Sequence, residues 1–278
     1  MEHQPFQLNL ENDRVIRGDI RTPSTEGTHT TLILCHGFKG FKDWGFFPHV
    51  AETLANAGFA VVSFNFSLNG VGEDSTTFGE LEKFAQNTFS HEQEDLRHVM
   101  EWIVGKENPL ASKMDTKQMG IIGHSRGGAS SLLFAFDEPR IQAVALWNSI
   151  AHPDYLPEPF KQALRENGRA YIPNARTKQQ MPIDLTFFQD LEANKERFNI
   201  PDRLSHYHKP LLIVHGEQDT SVPMEAAQQL NSASDHATLH TIPGADHTFG
   251  AVHPFQEENP YLREALEKTL QFFRNNFR

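Results

Sequence analysis

The sequence predicts an α/β fold in which a mostly parallel, doubly wound sheet begins with an antiparallel edge. Apolar runs at residues 30–35 and 60–66 are continuous, as in parallel strands that are covered on both faces. Between such runs, apolar residues recur at helical spacing. Strands that alternate with helices along a chain build a sheet with helices on both faces.

The elements follow in order along the chain. Two strands at residues 6–10 and 15–21 flank a turn at residues 11–13 and form the antiparallel edge. A helix with Val50 and Leu54 on its apolar face lies between the 30–35 and 60–66 strands, and Gly58 ends it. The clearest helix carries an apolar stripe of Leu96, Val99, Met100, Ile103 and Val104. Further strands are predicted at residues 143–147, 211–214 and 237–242, and a last helix at about 261–277.

Composition narrows the class of protein. At 278 residues the chain suits one large α/β domain. Its 25 Lys and Arg against 36 Asp and Glu give a net charge of −11, which disfavours nucleic acid and anionic membranes as partners. The single cysteine, Cys35, lies in an apolar run, and the start of the chain lacks a secretory signal pattern. We therefore expect a cytoplasmic protein that does not bind membranes, and a homodimer is left open.

The most informative stretch is residues 121–128, Ile-Ile-Gly-His-Ser-Arg-Gly-Gly, in which an apolar strand end runs into Gly-x-Ser-x-Gly. A serine hydroxyl is a weak nucleophile, so catalysis needs it exposed beside a base and beside donors for an oxyanion. A sharp turn from strand to helix supplies this arrangement, and an apolar helix begins directly after Gly128. Ser125 is the predicted nucleophile.

The acid and the base are predicted from two later loops. Asp219 follows the 211–214 strand and His247 follows the 237–242 strand, so both belong to the edge of the sheet that carries Ser125. Ser125, Asp219 and His247 also occur in the chain order expected for this architecture. Glu217 is the alternative acid. His124 should point away from the catalytic face, and no metal ligand set is expected because His206-x-His208 lacks a third ligand.

The oxyanion hole is predicted from the loop after the third strand, His36-Gly37-Phe38. Gly37 lets the backbone turn so that the Phe38 N–H faces the reaction site, and the Arg126 N–H is its partner. Trp44 follows in the same loop and is expected to line the substrate pocket, with ordinary core packing as the alternative.

Residues 151–208 interrupt the alternation of strands and helices, and they are rich in aromatic residues and proline. We predict a core formed by residues 1–150 and 209–278, with residues 151–208 as a small lid whose Phe187 and Phe188 line the substrate pocket. The alternative is a helical insertion that only packs on the edge of the sheet.

Together these motifs resemble the α/β-hydrolase superfamily over nearly the whole chain. His-Gly-Phe, Gly-His-Ser-x-Gly-Gly, His-Gly-x-x-Asp and Gly-Ala-Asp-His-x-Phe are most similar to bacterial carboxylesterases of the cinnamoyl and feruloyl esterase type. The resemblance implies an α/β-hydrolase fold, the triad Ser125, Asp219 and His247, oxyanion donors at Phe38 and Arg126, and an inserted lid.

The predicted activity is hydrolysis of a small-molecule ester, with short-to-medium acyl or aryl groups, through an acyl-enzyme and without cofactor. A serine peptidase or amidase, or a thioesterase, could use the same triad. From another class of proteins, an inactive hydrolase-like binding protein is the remaining alternative.

Overall fold

The predicted strands form one eight-stranded sheet in the computed structural model, which describes residues 1–74 and 77–277. In chain order the strands are β1 (Glu2–Asn9), β2 (Val15–Thr22), β3 (His29–Cys35), β4 (Ala60–Asn65), β5 (Met114–His124), β6 (Ile141–Trp147), β7 (Arg169–Pro173), β8 (Gln180–Asp184), β9 (Leu211–Gly216) and β10 (Ala237–Ile242). The main sheet has the order β1-β2-β4-β3-β5-β6-β9-β10. Its β1/β2 and β2/β4 pairs are antiparallel and the pairs from β4 to β10 are parallel. The predicted fold class, including its antiparallel first edge, is confirmed.

Helices cover both faces of this sheet. They are α1 (Phe47–Asn56), α2 (Leu81–Ala85), α3 (Phe89–Val104), α4 (Arg126–Asp137), α5 (Glu158–Asn167), α6 (Leu185–Ala193), α7 (Ile200–Ser205), α8 (Met224–Ser232) and α9 (Pro260–Asn276). None of the helices in the described part of the chain is long and apolar enough to cross a membrane.

Local sequence explains where the principal helices begin and what they bury. Thr88 caps α3 by accepting a hydrogen bond from the backbone N–H of His91, and Asn259 caps α9 in the same way. The predicted stripe of α3 is buried from Leu96 to Ile103, whereas Val104 at the last turn is 44% exposed. The stripe therefore ends one residue earlier than the spacing predicted, because the chain turns away from the sheet at the end of the helix.

The parallel register places the functional loops at one edge. Cys35 of β3 pairs with Gly123 of β5, and Gly216 of β9 pairs with Ile242 of β10, so these strands end together. The loops that leave them carry the predicted nucleophile, acid and base. The carboxyl edge of a parallel sheet is where such folds build their ligand sites.

Residues 151–208 contribute no strand to the described main sheet. They contain α5, α6 and α7 together with β7 and β8, an antiparallel hairpin that periodicity did not predict. The hairpin is held to the rest of the chain by Arg169, which binds Glu82, and by Arg176, whose Nη2 donates to the backbone carbonyl of Lys39 at 2.6 Å. The turn of the hairpin consequently lies against the loop that follows β3.

Candidate active site

Ser125 lies on a sharp turn between β5 and α4, as the motif predicted. Its backbone has φ 57° and ψ −124°, a left-handed conformation that costs a non-glycine residue about 1–3 kcal/mol. The flanking glycines make the turn possible. A Cβ on Gly127 would lie 2.7 Å from the Cys35 carbonyl oxygen, and one on Gly123 would overlap the backbone of Gly127. Close packing of β3, β5 and α4 thus holds the serine in its strained conformation.

Asp219 and His247 form the hydrogen-bonded pair that the chain order predicted. His247 Nδ1 lies 2.7 Å from Asp219 Oδ2. Asp219 Oδ1 accepts hydrogen bonds from the backbone N–H groups of Ser221 at 2.8 Å and Val222 at 2.9 Å. Burial alone raises the pKa of the Asp219 carboxyl, but His247 and the two N–H groups outweigh it, so the pKa lies below its ordinary value. A charged Asp219 can orient the imidazole.

Asn148, which sequence analysis missed, and His124, which it placed elsewhere, hold the His247 loop in place. Asn148 Nδ2 donates to the His247 carbonyl at 2.9 Å, while its Oδ1 accepts from the Gly216 N–H at 2.8 Å. His124 Nε2 donates to the same His247 carbonyl at 2.8 Å. Asn148 directly follows β6, and this position at the carboxyl end of a strand is the sequence signal that could have drawn attention to it.

The expectation that His124 points away from the catalytic face is wrong. Its ring lies 4.8 Å from the ring of His247, and it lines a narrow cavity with Ser125. Burial, and then the neighbouring His247, lower the pKa of His124 to about 3, so the ring is neutral near pH 7. Strand alternation alone does not give this contact, because it depends on how the end of β5 packs against the loop that carries His247.

Ser125 and His247 open into the same cavity, which has a volume of about 340 Å³. Phe38 and Arg126, the predicted oxyanion residues, line it together with Tyr155. A second, narrower cavity of about 50 Å³ continues from Ser125 toward Trp44. The structure therefore gathers the predicted nucleophile, base and oxyanion residues around one space, with the acid behind the base.

The loop after β3 lies directly against Ser125, the predicted nucleophile. A Cβ on Gly37 would lie 2.9 Å from both the His124 carbonyl oxygen and Ser125 Cβ, so only glycine fits there. His36 holds the loop from behind: its Nδ1 donates to the Gly37 carbonyl at 2.9 Å, and its Nε2 accepts from the Phe66 N–H at 3.2 Å. Burial lowers the pKa of His36 to about 4, which keeps the ring neutral, with the single ring proton that this pairing requires.

The Arg126 side chain is buried against Glu92, with Nε 2.9 Å from Oε1. Its guanidinium stacks over Phe89 at 4.5 Å and Phe187 at 5.0 Å. Burial by itself lowers the pKa of Arg126, yet the Glu92 charge raises it above the ordinary value, so the side chain stays charged. This ion pair fixes the start of α4 and hence the turn that carries Ser125.

The aromatic residues predicted to line the pocket lie in three different places. Trp44 is buried at the narrow cavity beside Ser125. Phe187 does not line the described cavities at Ser125; it packs behind Tyr155, at 6.2 Å between ring centres. Phe188 lines a separate cavity with His152 and Leu191, so its predicted place at the substrate pocket is wrong. Helix α6 turns this residue away from the sheet, which periodicity alone could not reveal.

The alternative acid Glu217, and Asp246 beside His247, make other contacts. Glu217 is exposed and accepts a hydrogen bond from the Thr241 hydroxyl at 3.0 Å. Asp246 Oδ1 accepts the N–H groups of Thr248 and Gly250, which shapes its own loop. Within the described residues, no group of three or more His, Cys, Asp or Glu side chains is arranged to hold a metal ion.

This sheet order, with a strained serine between strand and helix at its carboxyl edge, defines an α/β hydrolase. A family model described as "Serine aminopeptidase, S33" (Hydrolase_4) matches residues 27–198, and the chain belongs to this family of α/β hydrolases.

Solved structures share the fold over its full length. Est1E from Butyrivibrio proteoclasticus superimposes with a TM-score of 0.72 at 20% identity, covering 98% of each chain. Est1E with ferulic acid bound gives a TM-score of 0.73 at 21% identity, also over 98% of each chain. The esterase domain of a Rhodothermus marinus protein gives 0.66 at 20% identity, covering 99% of each.

Proteins that are similar to this chain in sequence are named after different activities. The lysophosphatidylserine lipase ABHD12 of Danio rerio is 24% identical over 258 residues, which are 89% of this chain and 60% of the lipase. The uncharacterized peptidase YuxL of Bacillus subtilis (strain 168) is 24% identical over 262 residues, 91% of this chain and 36% of that protein. The chain thus spans between 36% and 60% of these two relatives.

Proposed function

We propose that the chain is a serine carboxylesterase that hydrolyses esters with short-to-medium acyl or aryl groups. The observation that carries the proposal is the 2.7 Å contact between His247 and Asp219, with His247 and Ser125 lining one cavity. The Asp219 carboxylate fixes the proton of His247 on Nδ1 and leaves Nε2 free to act as a base. In this proposal Ser125, His247 and Asp219 are the triad.

In the acylation step, His247 Nε2 takes the hydroxyl proton of Ser125 while Oγ bonds to the ester carbonyl carbon. The carbonyl electron pair moves to the oxygen, and the backbone N–H groups of Phe38 and Arg126 stabilise the resulting anion. When the tetrahedral intermediate collapses, the bond to the alcohol oxygen breaks and His247 gives its proton to the departing alcohol. Asp219 stays ionised throughout and stabilises the imidazolium.

In the deacylation step, a water molecule replaces the alcohol. His247 takes one of its protons, the hydroxide oxygen bonds to the acyl carbon, and the bond to Ser125 Oγ breaks as the serine regains its proton. The products are one acid and one alcohol for each ester and water consumed. No step needs a metal or an organic cofactor.

The size of the cavity supports a small substrate. A volume of about 340 Å³ is at the lower end of the range for small-molecule sites. Phe38, Ile150, Tyr155 and Val222 give it apolar surface beside Ser125, which suits an acyl chain or an aromatic ring. Tyr155 belongs to residues 151–208, so we propose that this segment acts as the lid predicted from sequence.

The family description and the names of relatives raise a peptidase and a lipase as rivals. An aminopeptidase must bind a cationic α-amino group, which a nearby carboxylate would stabilise. Among the described residues that line the cavity there is no Asp or Glu, whereas Lys39 and Arg176 are present. This charge disfavours a substrate with a free amino terminus beside the scissile bond.

The first experiment identifies the nucleophile. A fluorophosphonate probe should label purified full-length protein at Ser125, and Ser125→Ala should lose both the label and the hydrolysis of p-nitrophenyl butyrate. Ser205→Ala, which removes an exposed hydroxyl on α7 outside the site, serves as the matched control. Retained hydrolysis by a folded Ser125→Ala protein would reject the proposed triad.

The second experiment separates the reaction classes. We expect p-nitrophenyl butyrate to be hydrolysed with a higher kcat/KM than butyryl p-nitroanilide, leucyl p-nitroanilide or butyryl-CoA. Faster release from leucyl p-nitroanilide would assign an aminopeptidase, and faster turnover of butyryl-CoA would assign a thioesterase.

We also propose a cytoplasmic location, because Cys35 is buried and cannot form a disulfide within the chain. Fractionation of cells that express the native gene tests this placement, and recovery of the protein outside the cytoplasm would contradict it.

A further inference from the structure

The cavity at Ser125 is positively charged although the chain carries a net charge of −11. Lys39, Arg126 and Arg176 line it, and no carboxylate does so among the described residues. They come from three segments: the loop after β3, the start of α4 and the turn between β7 and β8. Charge of one sign assembled from separate segments is a property of the site rather than of the local sequence.

Arg126 contributes little net charge, because Glu92 lies 2.9 Å from its Nε. Lys39 and Arg176 differ: their polar contacts in the described chain are to neutral groups. Lys39 Nζ donates to the Pro173 carbonyl at 3.3 Å, and Arg176 Nη2 donates to the Lys39 carbonyl at 2.6 Å. The described ion pairs include neither residue, so two uncompensated cations remain at the cavity.

Aromatic rings hold these two cations in place. The Arg176 guanidinium lies 4.7 Å from the ring centre of Trp44, and Lys39 Nζ lies 5.7 Å from that of Phe38. Asn174 lies beside them, with a buried Nδ2 that has no hydrogen-bond partner among the residues that the structure describes. These ring contacts place both side chains at the cavity, where Lys39 is partly buried and Arg176 stays exposed to solvent.

Two neighbouring cations without a counter-ion oppose each other. Partial burial, and then the charge of Arg176, lower the pKa of Lys39 below its ordinary value. An anion bound between the two side chains would relieve this repulsion, and in a partly enclosed cavity the interaction is stronger than in water.

We propose that the substrate is an ester that also carries a carboxylate or phosphate group, bound by Lys39 and Arg176 while the ester carbonyl lies at Ser125. The proposal rests on the proposed esterase function and names its substrate class. The two cations act on binding and orientation, whereas the triad performs the chemistry. Carboxylate and phosphate share the recognition chemistry, and the experiment separates them.

The kinetic test uses three acetate esters of similar shape: para-acetoxybenzoate, para-acetoxyphenyl phosphate and the neutral para-acetoxybenzamide. We expect kcat/KM for at least one anionic ester to exceed that for the amide by about tenfold, the value of one hydrogen bond to a charged group. The anionic ester with the larger ratio identifies the preferred group. The advantage of the anionic ester should shrink as the salt concentration is raised from about 0.05 M to about 0.5 M, because dissolved ions screen the attraction between charges. This range lies on both sides of roughly 0.1 M, where such screening is already appreciable.

Arg176→Gln is the diagnostic variant, and Lys178→Gln is its matched control on the same hairpin turn, outside the cavity. Arg176→Gln should lower the ratio of anionic to neutral kcat/KM by about tenfold, while Lys178→Gln should leave the ratio within about twofold. Equal ratios in the wild type and Arg176→Gln would overturn the proposal.

A binding measurement distinguishes failure of this proposal from failure of the esterase function. Titration of folded Ser125→Ala protein with benzoate, phenyl phosphate and benzamide by calorimetry needs no turnover. If an anion binds, if Arg176→Gln weakens that binding, and if the wild-type protein hydrolyses none of the esters, the anion site is supported and the esterase is rejected. Ser125-dependent hydrolysis with no preference for anions in either assay would keep the esterase and reject the anion site.

Discussion

Asp219→Asn tests whether Asp219 orients His247, the proposed base. The substitution keeps the size of the side chain and removes its charge. The outcome depends on which atom of the new amide faces His247. In the native protein Oδ1 accepts two backbone N–H groups, from Ser221 and Val222, and Oδ2 faces His247 Nδ1.

The two backbone donors decide the orientation of the amide. Only the oxygen of Asn can accept from them, so its NH₂ group must face His247 Nδ1. Nδ1 would then accept a hydrogen bond, and the proton of the neutral ring would move to Nε2, the nitrogen that should take the proton from Ser125. We expect kcat/KM for p-nitrophenyl butyrate to fall about 10⁴-fold, which corresponds to about 5 kcal/mol of transition-state free energy.

The assay compares Asp219→Asn with Glu217→Gln, which changes the exposed carboxylate two residues earlier. Circular dichroism should show both variants folded, and Glu217→Gln should retain activity within about twofold, as surface changes usually do. If kcat/KM falls less than tenfold in Asp219→Asn, or falls more in Glu217→Gln than in Asp219→Asn, Asp219 does not orient the base.

Three predictions concern stability. Gly127→Ala should lower the free energy of unfolding by about 3 kcal/mol in urea titration, because its Cβ would overlap the carbonyl of His36. Gly79→Ala should cost less than about 0.5 kcal/mol, since no atom of the described residues lies within 4 Å of the added Cβ. Glu92→Gln should lower the same quantity by about 3 kcal/mol, since Arg126 would be buried without a counter-charge, and an unchanged urea midpoint would contradict this. Burial lowers the pKa of His36 from 6.5 to about 4, so the free energy of unfolding should carry its full contribution from His36 above pH 6.5 and lose about 1.4 kcal/mol per pH unit as the pH drops toward 4. A folded His36→Asn variant should show a correspondingly shallower dependence of the free energy of unfolding on pH. An identical dependence would refute the assignment.

Most of the fold could be predicted from the sequence because each buried strand is marked by a short, continuous apolar run. The continuous apolar run that became β4 is buried at every position, as is β9. The hairpin of β7 and β8 escaped prediction because it is partly exposed and its sequence does not alternate cleanly. Its position depends on the contact between Arg176 and the Lys39 carbonyl, which joins residues 137 positions apart.

The site residues were also predicted from local sequence patterns. Ser125, Asp219 and His247 each follow a strand, so the end of a strand placed them at one edge of the sheet. His124 and Phe188 were misplaced because a side chain's direction after a turn, or on a short helix, depends on how that element packs. Asn148 was missed because its two hydrogen bonds join loops that follow different strands.

By itself, the sequence determined the order of the main-sheet strands along the chain, the turn at Ser125 and the loops that carry Asp219 and His247. These features follow from local physics, since glycine permits the turn and apolar runs form buried strands. Only the tertiary structure decided the charge of the cavity, because Lys39 and Arg176 meet where an inserted hairpin folds back onto the loop after β3. Electrostatic attraction depends on distance in space, and no spacing along the chain encodes the distance between these two side chains.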